Sequence, residues 1–252
     1  MTEAALYPWL VRAMFVAAAV TAASVLVVTA PYGRHARPGW GPTVSARVGW
    51  LLMELPASVG FAAIYAAGRH AMEPGPLALL TLWQSHYVYR SLIYPLRMGA
   101  SARRMPLAIA AMGATFNGFN AYLNARQVSE MGAYPVAWLS DPRFLGGIAL
   151  FAVGWGINQA SDATLRGLRR PGESGYRVPM GGLYRWVSCP NYLGEIGEWF
   201  GWALATYSLA GLGFALYTLA NLGPRALANH RWYRETFPDY PPERRALIPF
   251  VL

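Results

Sequence analysis

The sequence contains no lysine, only one cysteine and few charged residues. All 21 basic residues among its 252 are arginine, and charged residues make up 13% of the chain, about half the share that is typical of a soluble domain. Because Cys189 is the only cysteine, no disulfide can form within the chain. The lack of lysine, together with the many alanines and glycines, favours a GC-rich bacterial source and therefore a bacterial inner membrane.

Motifs for several common chemistries are also missing. There is no GxSxG and no Walker loop, and scattered histidines with one cysteine do not form a metal-ligand pattern, so we expect no metal. Gly154 and Gly156 look like part of a dinucleotide turn, but they lie in an apolar segment without a preceding strand, which excludes a Rossmann fingerprint. Glycines in such a segment are more typical of close helix packing. The four histidines are His35, His70, His86 and His230.

Apolar runs recur along most of the chain, and hydrophobic residues make up 55% of it. Several runs approach the roughly 20 residues that a helix needs to cross a bilayer. We therefore predict a single all-α domain over residues 1–252, a polytopic membrane bundle of about seven transmembrane helices. The first run has no early basic region and no convincing cleavage site, which favours a retained helix over a signal peptide. The predicted segments are 9–30, 49–67, 77–96, 105–123, 143–165, 195–210 and 211–227.

The arginines are distributed unequally between the two sides of such a bundle. With these segments, 16 arginines fall on one side, 4 on the other and Arg90 within a segment. Basic residues collect on the cytoplasmic side of membrane proteins. We therefore expect the C-terminus and the 166–194 loop in the cytoplasm and the N-terminus outside. The net charge of +9 then reflects topology, and we expect no nucleic-acid partner.

Two of the predicted segments carry ionisable or phenolic side chains inside apolar sequence. Glu54 precedes Pro56 in the second segment, while Tyr87, Arg90 and Tyr94 share one helical face in the third. Such residues at membrane depth line a cavity or contact a partner, and they are functional candidates. Two simpler interpretations stay open: Glu54 lies at the membrane interface, or the aromatic stripe packs in the core.

The fourth segment carries Asn117, Asn120 and Asn124 on related turns. Asparagines can hydrogen-bond between membrane helices, or these three can contact the head group of a bound ligand. His86 points at a different angle from Tyr87, and alone it is more typical of a hydrogen bond between packed helices than of a ligand contact.

The stretch from 154 to 199 carries the densest polar pattern. Read as a helix, its first part places an amide, a carboxylate and two guanidinium groups on one face, and arginine forks match phosphate oxygens. The alternative is that the arginines only mark the cytoplasmic end of a membrane helix. This alternative does not explain Glu195 and Glu198 beyond the following loop. The residues of the face are Asn158, Asp162, Arg166 and Arg169.

The C-terminal tail also places polar side chains on one helical face. Arg225, Asn229 and Tyr233 recur every four residues on one helical face. The tail either is a solvated amphipathic segment or covers a ligand from the cytoplasmic side.

Long runs of this half resemble the steroid 5α-reductases. They are GINQASDATLRGLRRPGESGYRVPMGGLYRWVS, PNYLGEIGEW, GWALAT and the tail HRWYRETFPDYPPERRALIPF. The resemblance is dense over about the last hundred residues and sparser before them. It implies NADPH-dependent reduction of the Δ4 double bond of a 3-oxo-Δ4-steroid, or of a similar apolar enone from the bilayer, with residues 143–252 forming the cofactor-binding half.

The resemblance also implies roles for individual residues. Tyr87 in QSHYVYRS and Glu54 in LMELP match the family's pair that contacts the 3-keto group. The substrate-pocket candidates are Met53, Arg90, Tyr94 and Asn117. The NADPH shell maps onto Asn158, Asp162, Arg166, Arg169, Tyr176, Arg177, Asn191, Glu195, Arg225 and Tyr233.

Two departures from the family pattern affect these expectations. Met53 stands where the mammalian pattern has a polar amide, which leaves the steroid preference open. Asn229 stands in a stretch where relatives carry a histidine run, which weakens one cofactor contact.

Two other classes of function remain open from the sequence. The element Ser188–Glu195 is similar to the RHPNYxGE element of sterol Δ14-reductases and of isoprenylcysteine-type methyltransferases, which use S-adenosylmethionine. A non-enzymatic membrane scaffold is the third possibility, and it predicts tolerance of substitution at Tyr87 and Glu54.

Overall fold

The computed structural model describes residues 2–29, 33–35, 37–98, 104–168 and 175–252. These residues are predominantly helical. The α-helices are α1 (Glu3–Val27), α2 (Ala46–Leu55), α3 (Phe61–Ala66), α4 (Pro74–Val88), α5 (Tyr94–Arg97), α6 (Leu107–Arg126), α7 (Pro142–Gly167), α8 (Pro190–Thr206) and α9 (Leu209–Thr236).

Local sequence explains where several helices begin. The side chains of Ser45, Asp141 and Ser208 each accept a hydrogen bond from a backbone N–H in the first turn of α2, α7 and α9, which satisfies donors that have no partner within the helix. Pro142 and Pro190 open α7 and α8, where the missing proline N–H costs nothing.

Two helices are interrupted by a π-helical turn at the residues that carry the predicted site. The turn Pro56–Gly60 joins α2 to α3, and the turn Tyr89–Ile93 joins α4 to α5. A proline cannot donate the hydrogen bond that continues an α-helix, so the hydrogen-bonding pattern shifts around Pro56. Short π segments of this kind are frequent at functional sites.

Two helical stretches in the described residues are long and apolar enough to cross a membrane by length and composition, Glu3–Val27 and Ala46–Ala66. The prediction of an all-α class is correct, and helices occupy all seven predicted segments. That all seven cross a membrane stays a prediction. The later helices contain buried polar side chains, such as Asn120 and Asn158, which lower their mean hydropathy.

A short two-stranded antiparallel sheet, which the sequence did not predict, ties two loops together. Strand β1 (Thr43–Ser45) pairs with β2 (Arg104–Pro106), and Val44 lies opposite Met105. The two strands directly precede α2 and α6, so the sheet fixes the starting points of these two helices relative to each other.

Helices α7 and α8 pack against each other in an antiparallel pair at very close range. A side chain at Gly154 would clash with the backbone of Gly194 and Glu198, and one at Gly147 would clash with Ala205. The expectation that Gly154 permits close helix packing is confirmed. Gly156 has open space beside it and has no such role.

Helix α9 extends beyond the predicted segment. It continues past the end of the predicted membrane segment 211–227 to Thr236. The tail residues Arg225, Asn229 and Tyr233 lie on this one helix, as their spacing predicts. The first part of α9 packs on α1, where Gly213 contacts Met14.

An aromatic cluster forms the core between α4, α8 and α9. Trp83 lies at its centre, with its ring 4.4 Å from Phe61, 5.0 Å from Trp202 and 5.7 Å from Phe214, measured between centroids. Its indole N–H donates to the Ala57 carbonyl at 2.7 Å. This bond anchors α4 to the π turn that follows α2.

Candidate active site

Arg90 lies between three carboxylates that come from three different helices. Its guanidinium nitrogens are 3.7 Å from Glu54 on α2, 3.8 Å from Asp162 on α7 and 3.7 Å from Glu195 on α8. This one cation therefore joins the helix that carries the predicted substrate contact to the pair that carries the predicted cofactor contacts. All four side chains are at least four-fifths shielded from solvent.

The position of Arg90 is fixed by aromatic residues. Its guanidinium lies 4.4 Å from the centre of the Trp50 ring and 5.0 Å from that of Tyr94, and cations are attracted to such ring faces. The Trp50 indole N–H also donates to the Arg90 carbonyl at 3.1 Å. The three ion-pair distances exceed hydrogen-bond length, and the side chain keeps 15% exposure, so polar groups of a ligand can still reach Arg90.

Glu54 is oriented by α6. The Asn117 side-chain N–H group donates to the Glu54 carboxylate at 3.2 Å and to the Met53 carbonyl at 2.7 Å. The Met53 side chain fills the space left by Gly113. The structure thus brings three of the predicted residues together on this side: Met53, Glu54 and Asn117. Glu54 is not at a solvated interface, because it is 7% exposed.

The predicted cofactor residues of α7 and α8 form a connected polar network beside Arg90. The Asn158 side chain donates to the Asn191 carbonyl at 3.0 Å and to Glu195 at 3.4 Å. The Asn191 side chain donates to Asp162 at 3.2 Å. These bonds fix the orientation of Asp162 and Glu195, two of the three carboxylates that face Arg90.

Tyr87 lies on α4, three residues before Arg90 of the π turn, and is packed between aromatic rings. Its ring centre is 4.8 Å from Trp83 and 5.4 Å from Trp199. Glu54 interacts with Asn117 and Arg90 and not directly with Tyr87. The predicted pair therefore lies in one site but is not joined by a hydrogen bond.

His86 and Glu198 form a buried pair directly beside Tyr87. The His86 Nδ1 atom is 2.7 Å from a Glu198 carboxyl oxygen, and Glu198 has no exposed surface. The other Glu198 oxygen has no partner among the described residues. The interpretation of His86 as a residue that hydrogen-bonds between packed helices is confirmed, because this bond joins α4 to α8.

The fourth-segment asparagines also connect helices. The Trp202 indole N–H on α8 donates to the Asn124 side chain at 2.8 Å, and Asn124 donates to Asn120 at 2.9 Å. The bond from Trp202 is the hydrogen bonding between helices that the sequence left open as one alternative, and Asn117 adds a second such link through Met53 and Glu54.

Three further predicted cofactor residues, Tyr176, Arg225 and Tyr233, lie in a second region, which we call the mouth. Tyr233 on α9 and Tyr176 both face the guanidinium of Arg34, which is 4.5 Å and 5.5 Å from their ring centres. Trp232 adds a third ring at 4.9 Å. Arg34 belongs to the segment Gly33–His35 and was not predicted as a site residue.

Tyr192, Asn229 and His35 connect the mouth to α8. Arg225 lies over the Tyr192 ring at 5.5 Å, and the Asn229 side chain donates to the Tyr192 hydroxyl at 3.4 Å. His35 contacts the Asn229 amide oxygen at 3.0 Å. Burial lowers the pKa of His35, and its hydrogen bond to Asn229 offsets this only in part, so the ring is neutral at pH 7 and donates its N–H.

Cys189 lies next to Asn229 and is buried. The Asn229 side chain contacts its sulfur at 3.6 Å. Burial raises the pKa of the Cys189 thiol to about 11. The only cysteine of the chain is therefore a protonated packing residue at neutral pH.

Three arginines of α7 and the following loop were predicted to bind the cofactor, and the structure shows them to different extents. Arg166 is partly buried, and one of its guanidinium nitrogens has no partner among the described residues. Arg177 is exposed. Arg169 lies outside the described residues.

Sequence reasoning did not place several members of the two regions, among them Trp50, Arg34 and Glu198. The sequence showed Glu198 as a second acidic residue beyond the loop, but it did not show that His86 is its partner. A tryptophan near a helix start and an arginine in a connecting loop carry no signal that separates them from membrane anchors and topology markers.

The fold and these two regions define a helical protein with a buried, charge-linked polar site between α2, α4, α7 and α8, and an arginine-lined mouth under α9. A sequence model described as 3-oxo-5-alpha-steroid 4-dehydrogenase matches residues 103–252, which is more than half of the chain. The chain belongs to this family of steroid 5α-reductases.

Named relatives match over nearly the whole chain. The steroid 5-alpha-reductase DET2 of Gossypium hirsutum is 43% identical over 99% of this chain and 99% of its own length. That of Arabidopsis thaliana is 44% identical over 92% and 91%. The 3-oxo-5-alpha-steroid 4-dehydrogenase 1 of Rattus norvegicus is 45% identical over 89% and 87%.

Proposed function

We propose that the protein reduces the Δ4 double bond of a 3-oxo-Δ4-steroid to the 5α-reduced 3-oxo product, with NADPH as cofactor. Membership of the family makes it an oxidoreductase that acts on a carbon–carbon double bond. The observation that carries the proposal is Arg90. Its contacts with Glu54 on one side, and with Asp162 and Glu195 on the other, bring a substrate end and a cofactor end within one side chain of each other.

The chemistry of the residues fits a dinucleotide phosphate. Asp162, Asn158 and Asn191 offer carboxylate and amide groups for hydroxyl and carboxamide contacts. Arg166 keeps a buried guanidinium N–H without an acceptor among the described residues, and buried donors of this kind are rare in folded proteins unless a ligand supplies the acceptor. Such an arginine fits a phosphate oxygen.

NADPH, when bound, supplies the hydride for the carbon β to the ketone, and few protein groups are then needed. The chain must stabilise the negative charge that develops on the ketone oxygen. The Tyr87 hydroxyl donates a hydrogen bond to that oxygen. Glu54, which is oriented by Asn117, supports the same end of the substrate. The α-carbon takes a proton to complete the reduction.

The packing around Tyr87 serves this step. The rings of Trp83 and Trp199 cover the phenol and leave it 3% exposed. A water-poor environment strengthens a hydrogen bond to a developing negative charge. The His86–Glu198 pair holds α4 against α8 and thereby fixes the direction from which Tyr87 approaches the substrate.

The proposed setting is a membrane crossed seven times, with the N-terminus outside and the mouth in the cytoplasm. Apolar side chains on the outer face of α1, such as Val16 and Val20, are more than half exposed, as expected for contact with lipid. An apolar steroid then enters from the bilayer and the cofactor from the cytosol. A reporter fused after Leu252 should be active only as a cytoplasmic reporter, and activity of a periplasmic reporter there would contradict this topology.

The direct test is an assay of the purified protein with NADPH and a panel of 3-oxo-Δ4-steroids, including progesterone and testosterone. We expect oxidation of NADPH that depends on the steroid, and a 5α-reduced product identified by mass spectrometry against standards. Transfer of a methyl group from S-adenosylmethionine, without any NADPH-dependent reduction, would overturn the proposal in favour of the methyltransferase alternative.

A further inference from the structure

The segment Gly33–His35 reaches across the chain to the predicted cofactor mouth. Arg34 is enclosed by the rings of Tyr176, Trp232 and Tyr233, at 5.5, 4.9 and 4.5 Å from its guanidinium carbon. The neighbouring His35 is hydrogen-bonded to Asn229 on α9. Two consecutive residues from the N-terminal part are thus attached to the same helix face.

Among the residues that the structure describes, the guanidinium of Arg34 has no carboxylate partner. One of its nitrogens is buried and has no hydrogen-bond acceptor among the described residues. The groups that act on it electrostatically are Tyr233, Cys189 and Tyr192, none of which is a carboxylate. Arg34 also hydrogen-bonds to the Tyr233 side chain, so the nitrogen that stays available is the one without an acceptor among the described residues. A guanidinium N–H in this position matches a phosphate oxygen.

The surroundings of Arg34 favour an anion. Both Arg34 and Arg225 act electrostatically on Cys189, and Arg225 also lies over Tyr192. The deep site, in contrast, has three carboxylates around Arg90. A dinucleotide that places its nicotinamide near Arg90 therefore finds positive charge where its phosphates extend towards the mouth.

We propose that Arg34 is a cofactor-binding residue that contacts a phosphate of NADPH, and that the segment Gly33–His35 thereby completes the mouth from the N-terminal side. This inference rests on the proposed function, since it takes the mouth to be a dinucleotide site. The ligand chemistry is a phosphate ester, which a phospholipid head group also carries. The tests below separate these two sources.

The first measurement is the affinity for NADPH, followed by its fluorescence on binding to protein purified in dodecyl maltoside, a detergent without phosphate. Arg34→Gln should weaken NADPH binding about tenfold or more, because a charge-assisted contact is lost. The matched control is Arg37→Gln in the same loop. Arg37 is exposed, and its side chain donates to the Thr29 carbonyl at 3.3 Å, so its loss should change the affinity by less than about twofold.

The second measurement separates binding from a purely structural role. NADPH should raise the melting temperature of wild type and of Arg37→Gln, and this rise should be largely absent in Arg34→Gln. Arg34→Lys keeps the charge and is a variant that folds even where glutamine is not tolerated. It should bind NADPH about threefold or more weakly than wild type, because lysine lacks the planar fork.

Wild-type NADPH affinity in Arg34→Gln or in Arg34→Lys would overturn the assignment. If Arg34→Gln binds NADPH normally in detergent and loses stability only in phosphatidylcholine nanodiscs, the phosphate belongs to a lipid and the cofactor assignment is wrong. A wild-type protein that binds NADPH through Arg34 but reduces no steroid would leave this inference intact and refute the proposed substrate.

Discussion

The deep site and the mouth use opposite electrostatics. In the deep site one guanidinium, Arg90, faces three carboxylates, and almost every polar group has a partner within the protein. In the mouth, Arg34 has aromatic neighbours instead of carboxylates. Between the two regions, Arg166 also keeps a guanidinium nitrogen without a partner among the described residues.

This difference indicates what each region binds. The deep site is organised by contacts between its own side chains, which suits the precise placement of a weak hydrogen-bonding group such as a ketone. In the described part of the mouth one Arg34 nitrogen lacks an acceptor, which suits an anion that arrives from solution. Tyr94 contacts Arg90, and Tyr192 acts electrostatically on both Tyr94 and Arg34. We propose that one elongated cofactor spans both regions along this line.

The largest expected effect comes from removing the cation of the deep site. Arg90→Met leaves the three carboxylates without their shared counter-charge, which should cost on the order of 3–5 kcal/mol of stability and abolish activity. Thermal unfolding in detergent measures this. The control Arg97→Met, on α5 at an exposed position, should stay within about 0.5 kcal/mol of wild type. Equal melting temperatures for the two variants would mean that the ion-pair cluster does not hold the deep site together.

Removal of the Tyr87 hydroxyl should act on turnover. Tyr87→Phe keeps the packed ring and loses the donor, so kcat should fall on the order of 100-fold, comparable to loss of one oxyanion donor. Tyr65→Phe is the control, because the Tyr65 hydroxyl is also buried but donates to the Ala71 carbonyl at 2.6 Å, away from the deep site. Near-normal turnover by Tyr87→Phe would mean that Tyr87 only packs in the core and does not take part in the reaction.

A smaller effect is expected at the junction between the two regions. Arg166→Gln should weaken NADPH about tenfold, as expected for one lost charge-assisted phosphate contact. Turnover at saturating cofactor should be nearly unchanged, because Arg166 is not in contact with the ketone end. Steady-state kinetics with varied NADPH measures both quantities. Unchanged NADPH affinity would remove Arg166 from the cofactor shell.

The smallest expected effect concerns Cys189, whose thiol has a pKa raised to about 11 by burial. Only the thiolate reacts rapidly with alkylating reagents, so native protein at pH 8 should react with N-ethylmaleimide far more slowly than unfolded protein. The rate should rise as the pH approaches the pKa. Fast labelling of the native protein would show that the face of α8 beside Asn229 is open rather than packed.

The sequence predicted the deep site better than the mouth. Glu54, Arg90 and Asp162 stand out because an ionisable side chain within apolar sequence is costly and needs a reason. Their mutual contacts across α2, α4 and α7 depend on tertiary packing, which periodicity does not encode. The structure brings these predicted residues together, whereas the central position of Arg90 was not predicted.

The mouth shows why the remainder was not predictable. Arg34 and Tyr233 are about two hundred residues apart in the chain, and an arginine in a loop looks the same whether it marks topology or binds a ligand. The continuation of α9 from residue 227 to Thr236 lies outside the predicted segment 211–227, because that segment follows the apolar run and the tail beyond it is basic and aromatic. The π turns at Pro56–Gly60 and Tyr89–Ile93 also have no clear sequence signature.

The most direct test of the division between the two regions measures two quantities on the same two variants. NADPH affinity and kcat are determined for Tyr87→Phe and Arg166→Gln in one detergent preparation. The account predicts a crossed result: Tyr87→Phe loses turnover and keeps NADPH affinity, while Arg166→Gln loses NADPH affinity and keeps turnover. Loss of the same quantity in both variants would contradict the separation of a substrate end from a cofactor end.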